Sequence, residues 1–147
     1  MGENIPIGSD HAGYELKERI KTKLEELGYD VEDVGAHSTE SSDYPDFAKR
    51  VAERVSGGGA VRGVLMCGTG LGMSYVANRF PGVRAAVAWN PEIAELSRRH
   101  NDANVLVLPA KFVNEEEATE ILKRWIEAPF DGGRHVRRIE KIELNRE

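Results

Sequence analysis

Val64-Leu65-Met66-Cys67-Gly68-Thr69-Gly70-Leu71-Gly72-Met73-Ser74 is the stretch on which the fold turns. Its apolar opening, rich in branched residues, reads as a buried strand of a parallel sheet. Three glycines at alternate positions then lead into a resumed helical pattern. Strand, glycine loop and helix start together suit an anion at the carboxyl end of a sheet. Backbone N–H groups can approach the ligand with no Cβ in the way, and the helix dipole favours negative charge. Cys67 closes the strand beside that cradle, which points to chemistry as well as binding.

Working outward, residues 5–8 form a short first strand, with Pro6 tolerated near a strand start or edge. Residues 9–13 make a loop, and Leu16, Ile20, Leu24 and Leu27 make a helical stripe that Gly28 stops. Residues 30–34 alternate as a second strand, and 35–43 are a polar loop. Pro45 fits a first helical turn, ahead of an apolar face of Phe47, Ala48, Val51, Ala52 and Val55. The third strand spans 61–66, and a helix follows over 72–79. A fourth strand covers 84–89, a helix opened by Asn90-Pro91 runs to His100, and a fifth strand covers 104–108. Asn114 and Glu117 are spaced as a capping pair for a last long helix lined by Ile121, Leu122, Trp125 and Ile126. Such alternation predicts an α/β fold: a Rossmann-like three-layer α/β/α sandwich with a five-stranded, mostly parallel sheet.

The 147 residues are expected to form a single domain, with residues from about 130 onward as a C-terminal arm. A net charge of −5 disfavours a nucleic-acid partner, whose affinity comes from neutralising phosphates. One cysteine excludes an intrachain disulfide and a thiolate zinc cluster. No apolar run approaches the roughly 20 residues of a membrane span, and the N-terminus lacks signal-peptide character. A soluble, cytoplasmic protein with no membrane contact is the expectation.

Ligands of open parallel sheets bind outside the carboxyl ends of strands. Asp10, His11, Cys67 and Lys111 all fall at such ends. The glycine loop is not a dinucleotide fingerprint, because G-x-G-x-x-G needs glycine where Met73 stands. Gly8 and Gly13 have P-loop spacing, but Tyr14-Glu15 replaces the Lys-Ser/Thr pair. Plainer readings stay open at each position. The loop alone can be a tight turn, Cys67 an inert buried thiol, Asp10 a helix cap, and His100-Asn101-Asp102 a helix terminator. A thiol beside exposed N–H groups, however, favours its thiolate, which serves as base or nucleophile. Arg134, Arg137 and Arg138 are either a solvated face or, after Gly132-Gly133, a bent arm able to reach phosphate on a neighbouring subunit.

Five pieces carry a family resemblance: 8–13 (Gly-Ser-Asp-His-Ala-Gly), 42–45 (Ser-Asp-Tyr-Pro), 67–72 (Cys-Gly-Thr-Gly-Leu-Gly), 97–104 (Ser-Arg-Arg-His-Asn-Asp-Ala-Asn) and 132–135 (Gly-Gly-Arg-His). Together they make the chain similar to the type B ribose-5-phosphate isomerases. The wider group includes galactose-6-phosphate isomerase subunits and allose-6-phosphate isomerase. The resemblance implies an aldose–ketose isomerase working through an enediolate, with no metal or organic cofactor. It implies Cys67 as general base and Thr69, with the N–H groups of Gly68, Gly70, Leu71 and Gly72, as the anion hole. It implies His100 as the residue that opens the sugar ring, and Asp10, Asn101 and Tyr44 on sugar hydroxyls. His11, Arg134 and Arg138 match phosphate positions, some of them supplied by a partner subunit of a homodimer or tetramer.

Lys111 stands where many relatives carry arginine, so a forked phosphate contact there becomes a point charge. Arg137 has no assigned counterpart. A six-carbon sugar phosphate stays open as substrate, since one carbon unit is worth only about 1–3 kcal/mol of discrimination. A non-catalytic sugar-phosphate binder has no use for Cys67, Thr69 and His100 together, and a cysteine hydrolase has none for an arginine arm.

Overall fold

The computed structural model describes residues 2–144. Five strands alternate with helices: β1 (Asn4–Ser9), α1 (Tyr14–Glu26), β2 (Asp30–Asp33), α2 (Tyr44–Ser56), β3 (Gly63–Cys67), α3 (Leu71–Ala77), β4 (Ala85–Val87), α4 (Pro91–Asn101), β5 (Val105–Pro109), α5 (Glu115–Glu127) and α6 (Arg134–Glu140). The sheet order is β2-β1-β3-β5-β4. Every pairing is parallel, so the expected mostly parallel sheet is wholly so.

Two apolar clusters, one on each face, make the three layers. Ile5, Ile7, Val64, Met66, Leu106 and Leu108 pack against Ile20 and Leu24 of α1, Ala94 of α4, and Ile121, Leu122 and Trp125 of α5. Leu65, Cys67, Val105 and Val107 face Ala48, Val51 and Ala52 of α2 and Met73 and Ala77 of α3. Burial on both faces explains why β3 and β5 read as unbroken apolar runs. The expected cap of α5 forms in full: Glu117 N donates to Asn114 Oδ1 at 2.8 Å, and Asn114 N to Glu117 Oε1 at 3.0 Å. Such caps contribute about 1 kcal/mol.

Several boundaries move, each for a local reason. Val61 is 71% exposed and outside β3, because the first rung of that strand is Gly63 N donating to Asn104 O. Cys67 instead belongs to β3. β4 stops at Val87; after Ala88 N donates to Val107 O, the chain peels away toward the Asn90 cap and leaves Trp89 exposed. Leu27 lies past the end of α1 and is exposed. Part of the loop at 9–13 is a 3₁₀ turn, His11–Gly13. Pro6 sits in an interior strand, yet precedes the first β1–β3 pair, Ile7 with Val64, so the donor it lacks has no strand opposite it. The tail turns at Gly132-Gly133, both with positive φ, and is helical from 134 to 140.

A buried cation supports the end of β1. Lys17 of α1 is fully buried, and its Nζ donates to Asp33 Oδ2 at 2.6 Å and Glu18 Oε1 at 2.9 Å. Asp33 Oδ1 accepts from Gly35 N at 2.9 Å. The Gly35-Ala36 segment in turn grips Ser9, through Ser9 N to Gly35 O and Ala36 N to Ser9 O, both 2.7 Å. Burial pushes the Asp33 carboxyl up, but hydrogen bonds from Lys17, Gly35 and Lys21 and the Lys17 charge outweigh it, leaving it below 3.8. A depressed carboxyl stabilises the fold above its unfolded pKa, and that contribution fades as pH falls through its folded value. Asp33→Asn should therefore cost about 3 kcal/mol at pH 7, or roughly 6–12 °C in Tm. The gap from the parent should narrow below about pH 4. Thermal melts of both proteins across that range check it.

Candidate active site

The carboxyl edge of the sheet gathers most of the expected groups. Gly70 caps α3 with φ +78°, and a Cβ there would lie 3.2 Å from Cγ1 of both Val87 and Val107. Only glycine combines that left-handed turn with so close an approach to the sheet. Thr69 Oγ1 accepts from Leu71 N at 3.2 Å, which leaves the hydroxyl hydrogen to donate outward. Among the described residues, the N–H groups of Thr69 and Gly70 have no acceptor. Lys111 N donates to Gly68 O at 3.0 Å, and the lysine stem passes over that glycine. The Tyr44 ring covers Gly72 in the same way. The loop is thus roofed by an aromatic ring and a cation.

Cys67 is 5% exposed and packs at the end of the α2–α3 cluster. Asp10, at the end of β1, is also buried; its Oδ1 accepts from Gly13 N at 3.1 Å, making the expected cap. His11 is held by a reciprocal pair with Ser42. His11 N donates to Ser42 Oγ, and Ser42 N donates to His11 Nδ1, both at 3.1 Å. With Nδ1 accepting, the neutral ring carries its proton on Nε2. Ser42 carries no chemical signal in the sequence beyond the family resemblance; in the fold it makes a contact between distant loops that no spacing announces.

His100, Asn101, Arg134 and Arg138 lie elsewhere. α4 connects two parallel strands, so its C-terminus returns to the edge where β5 begins. Arg84, just before β4, fixes it there through Nε to Asn101 O and Asp102 O, both 3.1 Å. The five residues of β5 at about 3.3 Å each put roughly 15 Å of sheet between this edge and Cys67. α6 packs on α4. Asp131 ties the tail down, with its N donating to Arg99 O at 3.0 Å and its Oδ1 accepting from Arg99 at 3.1 Å. A cavity of about 750 Å³ lies on this side, lined by Phe80, Arg84, Asn101 and Ile142 among others. Grouping Cys67 with His100 on sequence therefore does not describe a neighbourhood within one chain. One chain presents these two groups at opposite edges of the sheet.

The family model described as Ribose/Galactose Isomerase matches residues 5–142. The chain belongs to that family. Within this Ribose/Galactose Isomerase family, it is 46% identical over 140 residues to ribose-5-phosphate isomerase B of Escherichia coli, covering 95% of this chain and 94% of that one. It is similar to the crystal structure of a ribose 5-phosphate isomerase from Thermotoga maritima at 51% identity and TM-score 0.93, over 97% and 98% of the two chains. It is also similar to ribose-5-phosphate isomerase B from Mycoplasma genitalium with bound ribulose-5-phosphate. There the identity is 42% and the TM-score 0.91, over 95% and 93% of the chains. Among the described residues, no helix is long and apolar enough to cross a membrane.

The Ser42 contact gives a direct check on His11. In ¹⁵N-edited spectra of the histidine rings, the neutral form of His11 should show a protonated Nε2 and a bare Nδ1. An Nδ1–H tautomer would contradict the bond.

Proposed function

We propose that this chain is an aldose–ketose isomerase interconverting D-ribose 5-phosphate and D-ribulose 5-phosphate through an enediolate, with Cys67 as general base. The observation that carries the reading is the thiol at the end of β3 beside a glycine loop with free donors, in a chain of this family. The names of the relatives supply the substrate pair.

Ring opening comes first. The bond from C1 to the ring oxygen breaks, His100 gives that oxygen a proton, and the hydroxyl on C1 gives its proton to Asp10. One Asp10 oxygen already holds the Gly13 N–H, which leaves the other for the sugar. The Cys67 thiolate then takes the proton on C2, and negative charge moves onto O1. Thr69 and the loop N–H groups receive that oxygen as charge develops, where preorganised donors are worth most. The proton on O2 then passes to O1, the thiol returns its proton to C1, and C2 becomes the carbonyl carbon of the ketose. Asn101 and Tyr44 hold hydroxyls. His11 supplies a fixed Nε2–H, Lys111 a point charge, and Arg134 and Arg138 forked contacts to phosphate.

Opposite edges of one sheet cannot serve one substrate, so a two-fold homodimer is the simplest way to complete the site. The carboxyl edge of one protomer would meet α4 and α6 of its partner. An isologous contact makes two such sites at once. Exposed Leu71, Tyr75 and Val136 on these elements suit burial in that contact. Pairing of dimers into a tetramer is compatible with the same scheme.

Cys67→Ala should abolish turnover of ribose 5-phosphate while leaving its binding largely intact; full activity in that variant rejects the base assignment. Rates with ribose 5-phosphate and allose 6-phosphate, compared on the parent protein, decide between five- and six-carbon substrates. Arg138→Ala should chiefly raise KM. Co-expressing a Cys67→Ala chain with a His100→Asn chain tests the shared site. Random pairing should restore about a quarter of parental activity, because half the dimers are mixed and each carries one intact site. No recovery in mixed dimers would mean that both residues serve from the same chain.

A further inference from the structure

We propose that His135 is a positioning residue for His100, backing its ring with a neutral imidazole and holding it as the proton donor in ring opening. The inference rests on the role given to His100 above. The two rings, one from α6 and one from α4, lie 4.6 Å apart between centroids and 14° from parallel. Rings so close do not both carry charge without penalty. His135 is the member biased to stay neutral. Its pKa is lowered first by burial, then by the nearby His100, Arg134 and Arg138, against an opposing pull from Asp131. The neutral face of one imidazole is then a platform for the cationic ring of the other.

The groups around the pair fix this geometry. From α4 come Arg99 and His100; from the tail come Asp131, Arg134 and Arg138. Arg99 is itself shared between Asp131 and Glu95, and Glu95 also pairs with Arg124 of α5. The tail cannot drift from α4 while Asp131 bonds Arg99 through both backbone and side chain. His135 N, in turn, donates to Gly132 O at 3.1 Å.

Ligand atoms of His100, Asp131 and His135 fall within 4.8 Å of one another, so a shared metal ion is the rival. It fits poorly. A metal-bound imidazole keeps the ion near its ring plane, and two near-parallel planes cannot both contain one ion. The Asp131 carboxylate is also already held by Arg99.

The test separates ring opening from proton transfer on the whole enzyme. Ribose 5-phosphate closes to a furanose, whereas ribulose 5-phosphate stays open because its phosphorylated O5 cannot close a ring onto C2. Isomerisation of ribose 5-phosphate must open a ring, but exchange of a C1 hydrogen of ribulose 5-phosphate with D2O needs only the enediolate step. His135→Asn should lower kcat/KM for ribose 5-phosphate about three- to tenfold, the scale of one aromatic stack, with the exchange rate unchanged. His135→Phe, which keeps a flat face, should recover to within about twofold of the parent. Equal loss of isomerisation and exchange, no change, or a Phe variant as slow as the Asn variant overturns the proposal. His100→Asn is measured alongside. Isomerisation lost with exchange spared there but not in His135→Asn rejects the proposal alone; no such split in His100→Asn removes the reading of His100 and the proposal with it.

Discussion

A parallel sheet obliges every connecting helix to run back the other way, and that constraint governs how this molecule is divided. Whatever follows a strand directly, as Asp10, the glycine loop and Lys111 do, arrives at the carboxyl edge. Whatever ends a helix, as His100 and Asn101 do, arrives at the amino edge. The tail then packs on α4 and adds Arg134, His135 and Arg138 to the second group. In the proposed reaction the two groups of one chain serve different sites, and assembly belongs to the chemistry.

The carboxyl edge is prepared from some distance away. Lys17 has no route to water and must be neutralised, which binds Asp33 to it. Asp33 orients Gly35, and the Gly35-Ala36 segment clamps Ser9 on the residue before Asp10. A desolvated ammonium in the helix layer is in this way connected, bond by bond, to the residue before Asp10, the carboxylate proposed to meet the sugar. Across the crevice, the Gly70 turn against Val87 and Val107 does for the loop what the clamp does for β1.

Much of this was legible in the chain. The apolar run at 64–67 could only be a strand covered on both faces, and the Asn114–Glu117 pair placed the start of α5 correctly. Strand edges were less legible, since the exposure of Val61 and Trp89 depends on where neighbouring strands begin and stop. Lys17 escaped notice because helical periodicity marks Leu16, Ile20 and Leu24 and assigns their neighbour to solvent; its burial depends on Asp33 arriving from another strand. The separation of His100 from Cys67 was present in the order of elements, for a residue at the end of a helix between parallel strands has only one edge to go to. His135 was visible as a letter of a motif, but its stack with His100 is a contact between α4 and a tail helix that no pattern foretells.

Gly132 and Gly133 have φ of +69° and +57°, a consecutive pair of left-handed residues that folds the tail back on α4. The two residues work as the elbow of a jointed limb whose forearm bears an imidazole ring and three guanidinium groups. Adding a side chain at the joint would swing all four together, whereas replacing any one alters only itself. The placement of Arg134, Arg137 and Arg138 beside α4 is thereby set at two residues remote from the glycine loop, so the basic face of the tail can move as a unit while the thiol, the loop and the sheet stay untouched.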